Sequence, residues 1–299
     1  MRVVMAGASG FLGSALRRRF IAEGHQIVRL VRREPRGPDE RRWEPDARQL
    51  DLADIAGADL VVNLAGAGIE DRRWTDAYKR KLISSRVGPT RTLAETIAAL
   101  PPDQRPPALL NASAIGFYST DNGDRAVDEH EPPGRGFFPE LCQAWEAAAA
   151  PAEDAGVRVV RLRSGLVLDS GGGLLKPIAL ATKLFAGGPL AGGRFWMSWI
   201  SMEDWVGAVA FVAGRDDVTG PVNVVGPSPV RNAEFTRAVA RQLHRPAPWP
   251  IPRFALRIVL GEFADDAVAN LRVLPAVLNR LGYPYRHPTV DTALAATLA

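Results

Sequence analysis

Short apolar runs alternate with stretches of helical periodicity along the first half of the chain. Strands are predicted at residues 2–6, 26–31, 59–64, 108–113 and 158–162, with a short strand near residues 42–43. Helices are predicted at residues 11–23, 77–99 and 140–155, with Gly88-Pro89 as a candidate break in the second. Strands that alternate with helices in this way are typical of βαβ units around a parallel sheet.

The pattern changes after residue 165, where glycine-rich stretches replace the regular alternation. A helix is predicted at residues 204–213, a strand at 222–225 and a helix at 233–243. Residues 245–252 form a connector, because their prolines fit neither a helix nor a sheet interior. We therefore predict a core at residues 1–165 and a smaller lobe at residues 166–299. Within that lobe, residues 204–243 return to the core and residues 250–299 form a helical C-terminal module.

Three glycines with G-x-x-G-x-x-G spacing lie between the first predicted strand and the first predicted helix. Glycines at such a turn let backbone amides and the positive end of a helix approach a pyrophosphate. A tight turn without a ligand is the alternative. The pattern predicts a dinucleotide site formed by Gly7, Ser9, Gly10, Phe11 and Leu12.

The end of the second predicted strand distinguishes between two nicotinamide cofactors. An acidic residue there binds the ribose hydroxyl of NAD, whereas arginine suits the additional phosphate of NADP. Arg32 and Arg33 occupy this end, and the first acid is Glu34. We therefore predict NADP(H); the alternative is that both arginines form a solvated strand end.

The composition excludes several classes of protein. The 299 residues include 37 basic and 33 acidic side chains, and the basic ones are scattered among acids, which argues against a nucleic-acid surface. No apolar run reaches the roughly 18 residues that cross a bilayer, and the first residues lack the apolar stretch of a signal peptide. The single cysteine, Cys142, fits a reducing cytoplasm. The 4 histidines are far apart in the sequence, so no metal site is expected.

Segments along nearly the whole chain match motifs of one superfamily. They are Asn63-Leu64-Ala65-Gly66, Arg73-Trp74-Thr75 with Lys79, Ser113-Ala114-Ile115-Gly116-Phe117-Tyr118, Trp145-Glu146, Arg163-Ser164-Gly165, Trp199-Ile200 with Asp204, and Gly261-Glu262. On these segments the sequence resembles an extended short-chain dehydrogenase/reductase of the atypical, NAD-dependent epimerase/dehydratase-like branch called the epimerase family. The resemblance implies the α/β class, with a doubly wound Rossmann-type parallel sheet and a smaller C-terminal lobe. It also implies that the cofactor is lined by Leu64, Ala65, Gly66 and Arg86, although a structural salt bridge is an equal alternative for Arg86.

Active members of that superfamily use a serine or threonine, a tyrosine and a lysine four residues after the tyrosine. Ser113 matches the first position, where the alternative is a residue that only caps a turn. The resemblance aligns Cys142 and Glu146 with the tyrosine and the lysine. A carboxylate near a thiol disfavours the thiolate, and it cannot replace the positive charge of lysine. The usual proton relay is therefore absent.

Three catalytic hypotheses follow. Glu146 itself is the acid or base, or Tyr118 reaches the substrate from a different backbone position, or the site binds the cofactor without turnover. Cys142 either passes a proton or is a small buried residue. In the glycine-rich stretch, Arg194 is a candidate for an anionic substrate, and Trp196 and Trp199 are candidates for a stacking wall or for core positions.

Two functions compete. The first is an NADP(H)-dependent oxidoreductase or epimerase that acts on a small polar substrate, for example one similar to a nucleotide sugar. The second is a catalytically silent NADP(H)-binding protein that reports redox state to a partner. The oligomeric state stays open. The helices at 77–99 and 140–155 correspond to those that form dimer interfaces in many relatives, so one arrangement is a homodimer, and the other is a contact of the C-terminal tail with the same surface.

Overall fold

The computed structural model describes residues 1–120 and 122–298, apart from the side chains of residues 259 and 260. Its strands are β1 (Arg2–Ala6), β2 (Gln26–Val31), β3 (Glu40–Arg42), β4 (Leu60–Asn63), β5 (Ala108–Ala114), β6 (Arg158–Ser164), β7 (Leu166–Leu168), β8 (Trp196–Met197), β9 (Trp199–Ser201), β10 (Gly220–Val224) and β11 (Val230–Arg231). The main sheet contains seven of them, all paired in parallel, in the order β10-β6-β5-β4-β1-β2-β3. The predicted doubly wound α/β fold is confirmed.

Helices cover both faces of this sheet. The helices of the described chain are α1 (Phe11–Ala22), α2 (Leu52–Ile55), α3 (Asp76–Ala99), α4 (Phe137–Ala147), α5 (Ala150–Asp154), α6 (Leu175–Lys183), α7 (Met202–Ala213), α8 (Asn232–Leu243), α9 (Arg253–Leu260), α10 (Phe263–Ala267), α11 (Ala276–Arg280) and α12 (Val290–Leu298), and only some of them pack on the main sheet. On one face, α1 and α7 pack around Leu16 and Phe20. On the other face, α3 and α5 pack around Leu93 and Ile97. Strands buried on both faces are almost continuously apolar, which explains the runs seen in the sequence.

Two of the predicted helices differ in the structure. The candidate break at Gly88-Pro89 does not occur, since α3 runs unbroken through Pro89, which is buried by its packing. The predicted helix at 140–155 is instead two helices, α4 and α5. Pro151 lies at the start of α5, a position where proline begins a helix because it needs no amide donor there.

The second part of the chain adds a smaller lobe. β11 pairs with β8 and β7 pairs with β9, and α6, α8 and α12 surround a separate core that contains Trp199 and Phe235. β10 returns to the main sheet beside β6, and the C-terminal segment returns through a bridge between Val127 and Val273. The domain boundary at residue 165 stays a prediction. In the part of the chain that the structure describes, no helix has both the length and the apolar surface needed to span a membrane.

Candidate active site and cofactor site

The parallel strands of the main sheet place their carboxyl ends at one edge. Gly7 follows β1, Leu64 follows β4, and Ser113, Arg163 and Asn223 lie near the ends of β5, β6 and β10. Ligands of open α/β sheets bind at this edge, in the crevice where the strand order reverses. Residues far apart in the sequence are therefore brought to one candidate site.

The turn after β1 has no room for side chains. Gly7 has a φ of +76°, and a Cβ atom there would lie 2.5 Å from the carbonyl carbon of Leu64. A Cβ atom at Gly13 would lie 2.1 Å from the carbonyl oxygen of Gly7. Gly10 precedes α1 without a side-chain cap, and the first turn of α1 contains no acid. The helix N-terminus therefore offers backbone amides to an anion, and the turn fits the pyrophosphate of a dinucleotide.

The other predicted residues of the turn differ in exposure. Ser9 is exposed, whereas Leu12 is half-buried against the core. Phe11 begins α1 and packs against a glycine-rich segment of the second lobe: a Cβ atom at Gly172 would lie 2.8 Å from its ring. Gly172 and Gly173 therefore lie against the ring of Phe11, the first residue of α1, so this segment borders the predicted cofactor site.

A buried polar network holds the segment after β4. The Nδ2 atom of Asn63 donates to Oδ1 of Asn111 at 2.7 Å and to Oγ1 of Thr90 at 2.9 Å. The Oδ1 atom of Asn63 accepts from the amide of Ala65 at 3.1 Å. Because all of these side chains are fully buried, the network fixes residues 64–66 beside the glycine turn.

Arg86 lies behind Gly66 and is buried. Its guanidinium donates to the carbonyl oxygens of Ala67 and Leu82 and lies 5.1 Å from the ring centroid of Trp145. Burial lowers the pKa of Arg86 from its ordinary value. Within the described residues Arg86 forms no salt bridge, so the salt-bridge alternative disagrees with the structure, where carbonyl oxygens and a ring hold the guanidinium instead.

The two arginines after β2 differ in their surroundings. Arg32 is exposed and has no hydrogen-bond or ion-pair partner in the described part of the chain. Arg33 forms a two-pronged ion pair with Glu40, at 2.6 Å for each prong. Both residues lie just beyond the level of Ala6, which pairs with Leu30 of β2. They therefore flank the glycine turn, where an adenosine ribose is expected.

Ser113, Glu146 and Arg163 form a compact, buried cluster. The Oγ atom of Ser113 donates to Oε1 of Glu146 at 2.6 Å. Arg163 donates to the same carboxylate through Nε at 2.8 Å and through Nη2 at 2.9 Å. Burial opposes the charge of Arg163, but its hydrogen bonds with Glu146 outweigh burial and raise its pKa. The cluster joins a hydroxyl to a carboxylate that is held by a cation, a set of groups able to move a proton.

Tyr118 lies behind this cluster. Its side chain is fully buried, and its hydroxyl donates to Oδ1 of Asn223 at 2.7 Å and accepts from Nη1 of Arg163 at 3.0 Å. Burial raises the pKa of Tyr118 to about 12, although Arg163 opposes the shift. The hypothesis that Tyr118 reaches the substrate disagrees with this placement, because the hydroxyl is enclosed by protein groups.

Cys142 is also fully buried. Burial raises the pKa of its thiol to about 12, and the charge of Glu146 adds to the shift. The interpretation of Cys142 as a residue that passes a proton disagrees with this environment. The alternative, a small buried residue, agrees with it.

Three residues of the site were missed by sequence reasoning. Arg163 and Asn223 are polar residues near the carboxyl ends of their strands, and that placement was an available signal. Glu129 is buried in a loop, and its carboxylate accepts from the amides of Asn223, Ala276 and Val277 at 3.0, 3.1 and 3.2 Å. Glu129 thus joins the site to the C-terminal segment, and no pattern in the sequence indicated this role for Glu129.

A cationic groove of about 710 Å³ lies in the second lobe, lined by Arg194, Arg231 and Arg237. The guanidinium carbon of Arg231 is 4.2 Å from the ring centroid of Trp196. Trp199, by contrast, is buried in the core and donates to the carbonyl oxygen of Ser228. The guanidinium carbon of Arg272 also lies over the ring of Trp196, at 4.5 Å, and the indole N–H of Trp196 donates to Asp124. The ring of Trp196 is therefore already engaged, and Trp199 is a core residue. Among the described residues, no group of three or more His, Cys, Asp or Glu side chains is arranged to hold a metal ion.

Known proteins match the whole chain. An epimerase family protein of Mycobacterium tuberculosis is 42% identical over 293 residues, which cover 98% of this chain and 96% of that protein. The crystal structure of human epimerase family protein SDR39U1 with NADPH has a TM-score of 0.91 and 32% identity and covers 99% of each chain. A nucleoside-diphosphate sugar epimerase from Corynebacterium glutamicum has a TM-score of 0.82 and 33% identity and covers 100% of this chain and 58% of that one.

Two family models match separate parts of the sequence. Residues 251–297 match a domain of unknown function, DUF1731. Residues 3–226 match the model of the NAD dependent epimerase/dehydratase family. The family expected from the motifs is confirmed: the chain belongs to the NAD dependent epimerase/dehydratase family.

Proposed function

We propose that the chain is an NADP(H)-dependent enzyme of the oxidoreductase or epimerase type whose active site lacks the Tyr-x-x-x-Lys pair. The observation that carries this proposal is the position of the glycine turn and the Ser113, Glu146 and Arg163 cluster at one edge of one sheet. A pyrophosphate turn and a hydrogen-bonded hydroxyl and carboxylate are the two parts that such an enzyme needs. The NADPH in the human relative supports the choice of cofactor.

The residues around the turn suit the cofactor. The amides at the start of α1 would hold the pyrophosphate, residues 64–66 would line the nucleotide, and Arg32 and Arg33 would meet the phosphate on the ribose. When bound, NADP(H) supplies hydride transfer at its nicotinamide ring.

Ser113 and Glu146 handle the proton in this proposal. A substrate hydroxyl gives its proton to Oγ of Ser113 while the serine proton moves to Glu146, which accepts it along the existing 2.6 Å hydrogen bond. The reverse movement protonates a substrate oxygen. Arg163 orients the carboxylate and offsets its charge in a site that is almost closed to water. Tyr118 has a positioning role through Arg163.

The groove in the second lobe suits the substrate. The side chains of Arg194 and Arg237 are exposed and, among the described residues, are not engaged in ion pairs. They favour a molecule that carries a phosphate. The relative from Corynebacterium glutamicum, a nucleoside-diphosphate sugar epimerase, supports a substrate similar to a nucleotide sugar.

The test combines cofactor binding with turnover. Purified protein is titrated with NADPH, then incubated with a panel of carbonyl compounds and nucleotide sugars, while NADPH absorbance and epimer formation by NMR are followed. Ser113→Ala and Glu146→Gln are expected to lower turnover by about 10²-fold and leave the NADPH Kd unchanged. The control is Glu153→Gln. Glu153 lies on α5, the helix after that of Glu146, and pairs with Arg161 of β6, so this variant is expected to keep its activity.

One outcome would favour the competing function. If NADPH binds tightly but no compound in the panel is turned over, the catalytically silent NADP(H)-binding protein becomes the better account. We also infer a homodimer through α3 and α4 in the cytoplasm, and sedimentation of the purified protein tests the dimer.

A further inference from the structure

A buried carboxylate lies beside the arginines expected at the cofactor ribose. Glu40 is the first residue of β3, the edge strand that pairs with β2, and its side chain is only 1% exposed. A buried charge is costly unless it is paired and hydrogen-bonded. None of the catalytic steps described above uses Glu40, so its retention next to the ribose position calls for a separate explanation.

Glu40 is held on several sides. Its Oε1 atom accepts from Nη2 of Arg33 at 2.6 Å and lies 3.0 Å from Nη2 of Arg29. Its Oε2 atom accepts from Nη1 of Arg33 at 2.6 Å and from the amide of Arg36 at 2.7 Å. The hydrogen bonds from Arg33, followed by that from Arg36, lower the pKa of Glu40 to about 2. The carboxylate is therefore charged and fixed throughout the physiological pH range.

The contacts of Arg33 leave a defined set of donors. A guanidinium has five N–H groups in a planar fork. Nη1 of Arg33 uses its two on Glu40 and on the carbonyl oxygen of Glu34, and Nη2 uses one of its two on Glu40. In the described part of the chain, the N–H of Nε and the second N–H of Nη2 have no acceptor. These two N–H groups are parallel, which is the arrangement that binds two oxygens of one phosphate.

We propose that Glu40 is a positioning residue for cofactor specificity, which it exerts by fixing Arg33 so that these two N–H groups meet the 2′-phosphate of NADP(H). The role rests on the cofactor proposed above. Arg32 supplies a second cation, which no carboxylate of the described residues holds. Arg33 therefore gives a directed contact, and Arg32 adds positive charge.

Two effects of Glu40 have opposite signs, and this makes its role measurable. The negative charge of Glu40 weakens the attraction of the region for a phosphate, whereas its hold on Arg33 strengthens a directed contact. A purely electrostatic role predicts that removing the charge tightens NADPH binding. A positioning role predicts that NADPH binding weakens while NADH binding is unaffected, since NADH has no 2′-phosphate.

The test compares Glu40→Gln with Asp39→Asn by measuring the Kd values of NADPH and NADH. Both substitutions remove one negative charge from adjacent residues, but Asp39 pairs with Arg29 and not with Arg33. Glu40→Gln is expected to raise the NADPH Kd by about 10-fold, roughly one charge-assisted hydrogen bond, without changing the NADH Kd. Asp39→Asn is expected to leave the ratio of the two Kd values unchanged or to favour NADPH slightly.

Further variants decide the remaining outcomes. Arg33 is 43% exposed, so Arg33→Ala is expected to fold. Like Glu40→Gln, it should raise the NADPH Kd and leave the NADH Kd unchanged. Adding Glu40→Gln to Arg33→Ala should have no further effect on the ratio. An unchanged ratio in Arg33→Ala, or tighter NADPH binding by Glu40→Gln, overturns the role of Glu40. Wild-type protein that binds neither cofactor contradicts the proposed function itself, and with it this role.

Discussion

Arg163 and Glu146 form a two-pronged ion pair at the carboxyl edge of the sheet, with side chains that are 5% and 8% exposed. The cation that the helix of Glu146 lacks thus comes from β6, the neighbouring strand of the sheet. It holds the carboxylate that accepts the hydrogen bond of Ser113. A charge pair enclosed to this degree has consequences for stability as well as for chemistry.

Arg163→Met is expected to lower the free energy of unfolding by about 3–5 kcal/mol, because it leaves the buried carboxylate of Glu146 without a cation. The matched control is Arg161→Met in the same strand. Arg161 pairs with Glu153, and their side chains are 19% and 33% exposed, so its loss should cost at most about 1 kcal/mol. Urea unfolding of both variants measures the difference, and equal costs would contradict the buried pair.

Gly7→Ala is expected to abolish NADPH binding and to lower stability by about 1–3 kcal/mol, since its φ is +76° and its Cβ atom would meet Leu64. Gly24→Ala is the control: its φ is +81°, but nothing lies within 4 Å of an added Cβ atom. It should cost about 1–2 kcal/mol for backbone strain alone and keep the NADPH Kd of the wild type. Fluorescence titration and thermal unfolding separate the two effects. Cofactor binding by Gly7→Ala at wild-type strength would show that the turn is not the pyrophosphate site.

Cys142 is expected to resist alkylation by iodoacetamide in the folded protein at neutral pH, because it is buried and burial raises its pKa to about 12. The thiol should react readily once the chain is unfolded in urea. Cys142→Ala should retain NADPH binding and cost about 1 kcal/mol of stability. Mass spectrometry of the native and unfolded protein measures the reaction, and fast native labelling would mean that the thiol is open to the site.

Asp266 should make stability depend on pH between about 4 and about 6. Burial, with the charge of Asp265 as a second cause, raises its pKa from 3.8 to about 6, and Lys79 opposes the shift. The folded protein therefore binds the proton more tightly than the unfolded chain does. The contribution of Asp266 to the free energy of unfolding consequently falls as the pH rises through that window. The loss should amount to about 1–2 kcal/mol after allowance for contact with solvent, and Asp266→Asn should abolish it.

The control for this pH effect has the opposite sign. Arg215 lowers the pKa of Asp217, so the carboxylate of Asp217 stabilises the fold above its ordinary pKa and loses that contribution as the pH falls. The free energy of unfolding is measured in urea at a series of pH values. At the higher pH values it should be lower than that of the wild type for Asp217→Asn and higher than that of the wild type for Asp266→Asn. Parallel curves for the wild type and Asp266→Asn would contradict the assignment to Asp266.

Local patterns in the sequence predicted most of the main sheet. The apolar runs predicted β1, β2 and β5 with bounds close to the observed ones, because buried parallel strands are rich in apolar residues. Prolines were harder to interpret. Pro151 divides two helices, whereas Pro89 lies inside one, since burial of Pro89 against the core outweighs the hydrogen bond that proline cannot donate.

The sequence by itself determined the fold, the glycine turn and the family, because each depends on residues that are close together in the chain. Only the tertiary structure decided which polar groups meet. Arg163 and Glu146 are separated by 17 positions, and Tyr118 and Asn223 by 105, yet the parallel strands bring their side chains within hydrogen-bond distance. Burial then requires these groups to satisfy one another. Tyr118 and Cys142 are fully buried, whereas Ser113 and Glu146 keep 3% and 6% of their surface exposed.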